Sequence, residues 1–160
     1  MNTTFKQFQF QTNAINQLLN LSNGTDRKEI LMQAPTGAGK TIILCKYIDQ
    51  YLSTNSGTTA FVWLTPGAAE MEEQSKKKFD KYVPQYRSNL LADVLTSGCG
   101  TDSVSFINWE ALNKDDNIAL RESEKANIKD YEIIGLGENI VLNNSEKELL
   151  EQKNIQIIEL

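Results

Sequence analysis

The sequence predicts an α/β fold with a mostly parallel central sheet, for three reasons. An apolar run, Ile30-Leu31-Met32, leads into the glycine-bearing stretch Gln33-Ala34-Pro35-Thr36-Gly37-Ala38-Gly39-Lys40-Thr41, and an amphipathic run over residues 41–52 leads out of it. A nearly continuous apolar segment follows at residues 58–64, as expected of a strand covered on both faces. Strand-like and helix-like runs then alternate, and two strands joined by a helix of about a dozen residues make a right-handed crossover.

Composition narrows the possibilities. At 160 residues the chain can bury the core of one domain and is too short for two α/β lobes. Its 40% apolar and 23% charged residues place it among soluble globular proteins. No apolar run approaches the roughly 20 residues of a membrane helix, so no membrane partner is expected. The first residues, Met1-Asn2-Thr3-Thr4-Phe5-Lys6, lack the pattern of a signal peptide. Cys45 and Cys99, at unrelated positions, fit reduced thiols and a cytoplasmic location, Cys45 as a small core residue. The absence of histidine removes Ser-His and Cys-His nucleophiles, imidazole zinc sites and histidine bases together. Net charge is −5 and uneven: residues 1–109 carry ten Lys/Arg against nine Asp/Glu, and residues 110–160 six against twelve. Neither part is the basic surface that drives non-specific nucleic-acid binding, so any such affinity is local.

Taken in order, Phe5, Phe8 and Phe10 alternate with Gln7, Gln9 and Gln11, and a helix is expected over residues 12–21 with Ile15, Leu18 and Leu19 on one face. Asn23-Gly24 ends it. After the strands and helix of the opening unit, Thr65-Pro66-Gly67 breaks the second strand, and residues 68–82 read as a helix. Glu72–Lys76 and Glu73–Lys77 are spaced to pair on that helix, which makes Lys76-Lys77-Lys78 a solvated face rather than a nucleic-acid patch. Residues 90–96 are read as a third strand, Ser97-Gly98-Cys99-Gly100 as a tight loop, and residues 104–107 as a fourth strand closed by Asn108-Trp109-Glu110. Residues 117–129 read as a polar surface helix and residues 131–134 as a strand. Ser145 and Glu148 form a capping box for a helix to Lys153, before a last strand at residues 155–158.

The chemistry is concentrated in the glycine stretch. Gly37 and Gly39 have no Cβ, so the backbone can take positive φ and close on an anion. Successive amides of residues 37–41 would then face phosphates as a helix opens and adds its partial positive charge. Lys40 would reach β/γ-phosphates, and the Thr41 hydroxyl would hold Mg²⁺. Lys40 and Thr41 are thus the candidate catalytic residues, and Thr41 the candidate metal ligand.

With these residues in place, the chain resembles the first RecA-like lobe of a superfamily-two helicase or translocase, and most of all the N-terminal part of the res subunit of type III restriction enzymes. The resemblance covers about residues 5–127. It rests on Phe10-Gln11 ahead of a helix, the Ala34–Thr41 loop, Val62-Trp63-Leu64-Thr65-Pro66-Gly67, and Phe106-Ile107-Asn108-Trp109-Glu110-Ala111-Leu112. Ala34 stands where the general loop pattern has glycine, and Ala-x-x-Gly-x-Gly-Lys-Thr is the form such helicases use. The resemblance implies a P-loop NTPase, RecA-like three-layer sandwich, present as a single incomplete lobe over residues 1–129, with residues 130–160 a divergent extension completing or flanking it. It implies ATP and Mg²⁺ as cofactors, bound by Gln11, Phe10, Pro35, Thr36, Gly37, Ala38, Gly39, Lys40 and Thr41. Gln11 would read adenine, and a nearby phenylalanine would stack on the base or else staple the first helix to the sheet. It also implies DNA-backbone contacts from Thr65, Pro66, Gly67 and Asn108, although Thr65-Pro66-Gly67 is equally a turn that stops a strand and Trp109 equally a core residue. A second RecA-like lobe or a modification subunit is the implied partner.

One part of the pattern is missing. ATP hydrolysis of this type needs an apolar strand ending in Asp-Glu, the Asp for Mg²⁺ and the Glu to align water. The nearest match in residues 130–160 is Ile155-Gln156-Ile157-Ile158-Glu159. With neither that pair nor a second lobe carrying arginine fingers, the expectation is a DNA-dependent ATPase lobe that is weak or inactive alone. The alternative is a non-catalytic nucleotide-binding or partner-docking module. A small kinase is disfavoured because Arg27, Arg87 and Arg121 cannot form an arginine-rich lid.

Overall fold

Hydrophobic spacing and local capping account for the elements of the computed structural model, which describes residues 7–23, 29–57, 59–66, 71–108, 131–135, 144–152 and 155–160. The chain divides into two compact units, residues 1–47 with 138–160, and residues 48–137.

In the first unit, helix α1 spans Gln9–Ser22 and buries Gln11, Ala14, Ile15 and Leu18, a stripe at helical spacing. It begins earlier than residue 12 because the Gln11 side chain accepts the Phe8 amide at 3.1 Å, one half of a capping box. At the other end the Asn23 amide donates to the Leu19 carbonyl at 3.1 Å. Strand β1, Glu29–Gln33, pairs in parallel with the last strand of the chain, β6 (Ile155–Glu159), with Glu29 opposite Ile155 and Gln33 opposite Glu159. The Leu160 amide prolongs this ladder to the Gln33 carbonyl at 3.0 Å. Both α1 and helix α5, Asn144–Gln152, lie against β6. Helix α2, Lys40–Thr54, starts at Gly39, whose carbonyl accepts the Ile42 and Ile43 amides at 2.9 and 3.0 Å. Ile43, Leu44, Cys45 and Tyr47 on its first half are buried.

The second unit holds a four-stranded sheet in the order β3-β4-β2-β5, parallel throughout. Its strands are β2 (Ala60–Thr65), β3 (Arg87–Leu90), β4 (Ser103–Asn108) and β5 (Tyr131–Gly135). The two central strands bury consecutive residues, Phe61 with Ala60 and Val104 through Ile107, the signature of a sheet covered on both faces. Helix α3, Met71–Tyr82, crosses β3, β4 and β2. From it Phe79 reaches Phe106, ring centroids 5.7 Å apart, and Phe106 meets Trp63 at 5.3 Å. All three rings are fully buried. At the opposite, amino-terminal edge Asp102 takes φ 51°. Its carboxylate accepts the Gly57 amide at 2.8 Å and its own amide donates to the Thr59 carbonyl at 2.7 Å, tying the turn before β2 to the one before β4.

Two expectations from sequence need correction. Residues 90–96 are not a strand: β3 ends at Leu90, and Leu91–Ser97 form helix α4. The apolar residues Leu91, Val94 and Leu95 have helical spacing, and the Asp93 carboxylate caps the helix by accepting the Leu90 amide at 2.8 Å. The polar Arg87-Ser88-Asn89 makes the strand instead, because buried Asn89 donates through Nδ2 to the Cys99 carbonyl at 3.0 Å. On α3, Lys76 pairs with Asp80 at 2.8 Å rather than with Glu72. A lysine reaches an acid one turn on in either direction, and Asp80 is also held by the Ser88 hydroxyl. Cys45 and Cys99 are both buried and are not joined in a disulfide, and no described helix is long and apolar enough to cross a membrane. Phe5, Gly24, Gly67 to Glu70, the Trp109-Glu110 segment, residues 117–129 and Lys153 lie outside the described residues.

Candidate nucleotide-phosphate site

The glycine stretch folds as a turn that hands β1 over to α2. Ala34 is buried, Pro35 and Thr36 are exposed, and the Pro35 carbonyl accepts the Ala38 amide at 3.2 Å. Gly37 has φ +85° and Gly39 φ +83°, conformations that side-chain-bearing residues rarely adopt. Lys40 folds back so that Nζ donates to the Ala34 carbonyl at 2.9 Å. An ammonium group and the positive end of a helix thus occupy the same short loop, with Thr41 one residue further along the first turn. Such a loop offers fixed donors to an anion and has no acid among its own residues 34–41.

Gln11 belongs to this loop as much as to α1. It is 3% exposed, and its Nε2 donates to the Ala38 carbonyl at 3.0 Å while its Oε1 accepts the Phe8 amide. A Cβ built on Gly39 would lie 2.7 Å from that same Nε2. Phe8 and Phe10 stack on each other, centroids 5.8 Å apart and planes 11° off parallel, and remain 59% and 39% exposed. Neither is packed into the core. The unit therefore gathers Gln11 and Pro35 through Thr41 in one place, with Phe10 next to Gln11 in the chain. The sequence reading assigned Gln11 to a base and missed its bond to the loop, which the spacing of Phe8 and Gln11 across a helix start hints at only through capping.

The candidate nucleic-acid residues sit in the second unit. Thr65 and Asn108 are register partners at the carboxyl ends of β2 and β4. Thr65 is 1% exposed, and its hydroxyl has no hydrogen-bond partner among the described residues; Pro66 is exposed. Asn108 lines a cavity of about 150 Å³ with Glu72, Glu73, Leu90, Leu91, Ala92 and Phe106. Two carboxylates on this rim oppose a phosphate, whatever the neutral groups beside them offer.

A family model for the res subunit of type III restriction enzymes matches residues 4–158. The chain belongs to that family. Its fold is accordingly that of a RecA-like P-loop NTPase, the helicase-like region of the res subunit. No curated protein matches it significantly. The family match runs past residue 127 and takes in β5, α5 and most of β6.

Proposed function

We propose that this chain is the ATP-binding lobe of a DNA-dependent ATPase, a helicase-type translocase of a type III restriction system. The observation that carries the reading is the loop, with two glycines at positive φ between a strand and a helix and the Lys40 ammonium held inside it. Bound there, ATP and Mg²⁺ would supply a triphosphate and a Lewis-acidic cation. Pro35 through Lys40 would cradle the phosphates and Thr41 would hold the metal. Among the described residues no group of three or more acids or thiols could hold a metal ion, so Thr41 and the phosphates themselves are the fitting ligands. The second hydrogen on Gln11 Nε2 and the second lone pair on Oε1 suit an adenine edge, with Phe10 stacking on the base. Thr65, Pro66, Gly67 and Asn108 would touch DNA backbone, weakly, since Glu72 and Glu73 share the rim with Asn108. A second RecA-like lobe or a modification subunit would strengthen both contacts, in the cytoplasm. Residues 1–129 form the lobe on this reading, and residues 130–160 complete or flank it.

The second reading, a non-catalytic nucleotide-binding or docking module, is favoured by the acids. Glu159 ends β6 opposite Gln33, at the strand end that feeds the loop, but no Asp precedes it. β5 runs on in sequence as Leu136-Gly137-Glu138, a glutamate preceded by glycine where an Asp-Glu pair has its metal-binding acid. Steady-state ATPase assays with and without DNA separate the two. DNA-stimulated turnover that Lys40→Ala abolishes supports the motor lobe; nucleotide binding without turnover supports the module; neither binding nor turnover overturns both.

A further inference from the structure

The Gln11 amide has two partners, and only one belongs to its own helix. Oε1 accepts from the Phe8 amide at 3.1 Å, and Nε2 donates to the Ala38 carbonyl at 3.0 Å, 27 residues away in the chain. The orientation of the amide is fixed by chemistry, because one partner is only a donor and the other only an acceptor. The side chain is 97% buried by complement of its 3% exposure, so water does not readily replace either bond. A Cβ on residue 39 would come within 2.7 Å of Nε2, closer than such contacts allow. Gly39 therefore meets two separate demands, a φ of +83° and room for this amide.

We infer that Gln11 is a positioning residue for the phosphate loop, holding Ala38 and Gly39 in their anion-receiving shape whether or not a base is present. This deepens the reading of residues 34–41 as a phosphate site and rests on it. A base reader changes affinity only for ligands that carry a base. A brace on the loop changes affinity for the phosphates themselves, because an unbraced loop must lose conformational freedom when the anion binds. Ala38 is the middle residue of the Gly37-Ala38-Gly39 run, flanked on both sides by flexible glycine. A single hydrogen bond at that carbonyl thus restrains the segment most able to move.

Inorganic tripolyphosphate with Mg²⁺, which has no base, is the discriminating probe. Calorimetric titrations compare the wild-type chain with Gln11→Met, similar in volume but unable to make either bond, and with Lys40→Ala. Amide resonances of Gly37, Gly39 and Leu31 are recorded on the same samples. The inference expects Gln11→Met to weaken tripolyphosphate about tenfold, the scale of one lost buried hydrogen bond. It also expects the Gly37 and Gly39 resonances to shift while that of Leu31 in β1 stays in place. Gln11→Asn, which keeps an amide but is one methylene short of spanning both partners, gives the same pair of results if the methionine variant does not fold. Wild-type affinity for tripolyphosphate in a folded Gln11 variant, with Lys40→Ala impaired, overturns the brace and leaves the phosphate site standing. Undiminished binding by Lys40→Ala overturns the phosphate site and the brace with it.

Discussion

Gly37 and Gly39 have nearly the same φ and different surroundings, which makes them a test of local causes. A Cβ at Gly37 meets nothing within 4 Å, whereas one at Gly39 meets the Gln11 amide. Substituting Gly37 by Ala costs the left-handed strain alone, about 1–2 kcal/mol. Gly39→Ala adds a collision with a buried, hydrogen-bonded group and is expected to be the more damaging of the two in urea unfolding; equal losses would show that the Gln11 contact is of no consequence. Much of this site was legible as residue types: the glycines, Lys40 and Thr41 state their chemistry through backbone freedom and charge. The placement of Gln11 was not. A glutamine has no pattern that distinguishes a helix cap, a base reader and a loop partner, and only the fold brings residue 11 beside residue 38. Thr65, which the resemblance links to a nucleic-acid backbone, is buried at the end of β2, an environment that its residue type does not announce.

Among the elements, periodicity identified the buried strands and long helices and failed where an apolar run was short. Residues 58–64 read as a strand because consecutive apolar residues need cover on both faces, residues 104–107 read as another, and β2 and β4 form there. Leu90-Leu91-Ala92-Asp93-Val94-Leu95-Thr96 fits either period, and α4 wins through its capped start. Asp93→Ala is therefore expected to destabilise the second unit by about 1 kcal/mol, a typical capping loss. A melting temperature unchanged from wild type would deny the carboxylate that part. Strand β3 escaped detection because its buried residue is Asn89, whose hydrogen bond to Cys99 is a tertiary fact with no local signal. Phe79, fully buried against Phe106, is the opposite case. Its replacement by Ala should cost about 3–5 kcal/mol and unfold most of the second unit's amide protection in hydrogen exchange.

For the whole molecule, the charge distribution bears on how strongly this chain alone would hold DNA on the proposed reading. Residues 1–109 are close to neutral, the remainder is acidic, and Glu72 and Glu73 stand beside Asn108. The chain alone should release fewer than about three counterions on binding a DNA duplex, read as a shallow slope of log affinity against log salt. A slope of the size expected for six or more phosphate contacts would contradict the reading drawn from the near-neutral charge balance of residues 1–109. ATP is different, because the site proposed for it is local to one loop. The most direct measurement is calorimetric titration of the folded chain with Mg-ATP, wild type beside Lys40→Ala. Saturable one-site binding that weakens at least tenfold without the ammonium group is the predicted result, on the scale of a charge-assisted contact. Flat heats from a folded wild-type sample, or equal affinity in the two proteins, would contradict it.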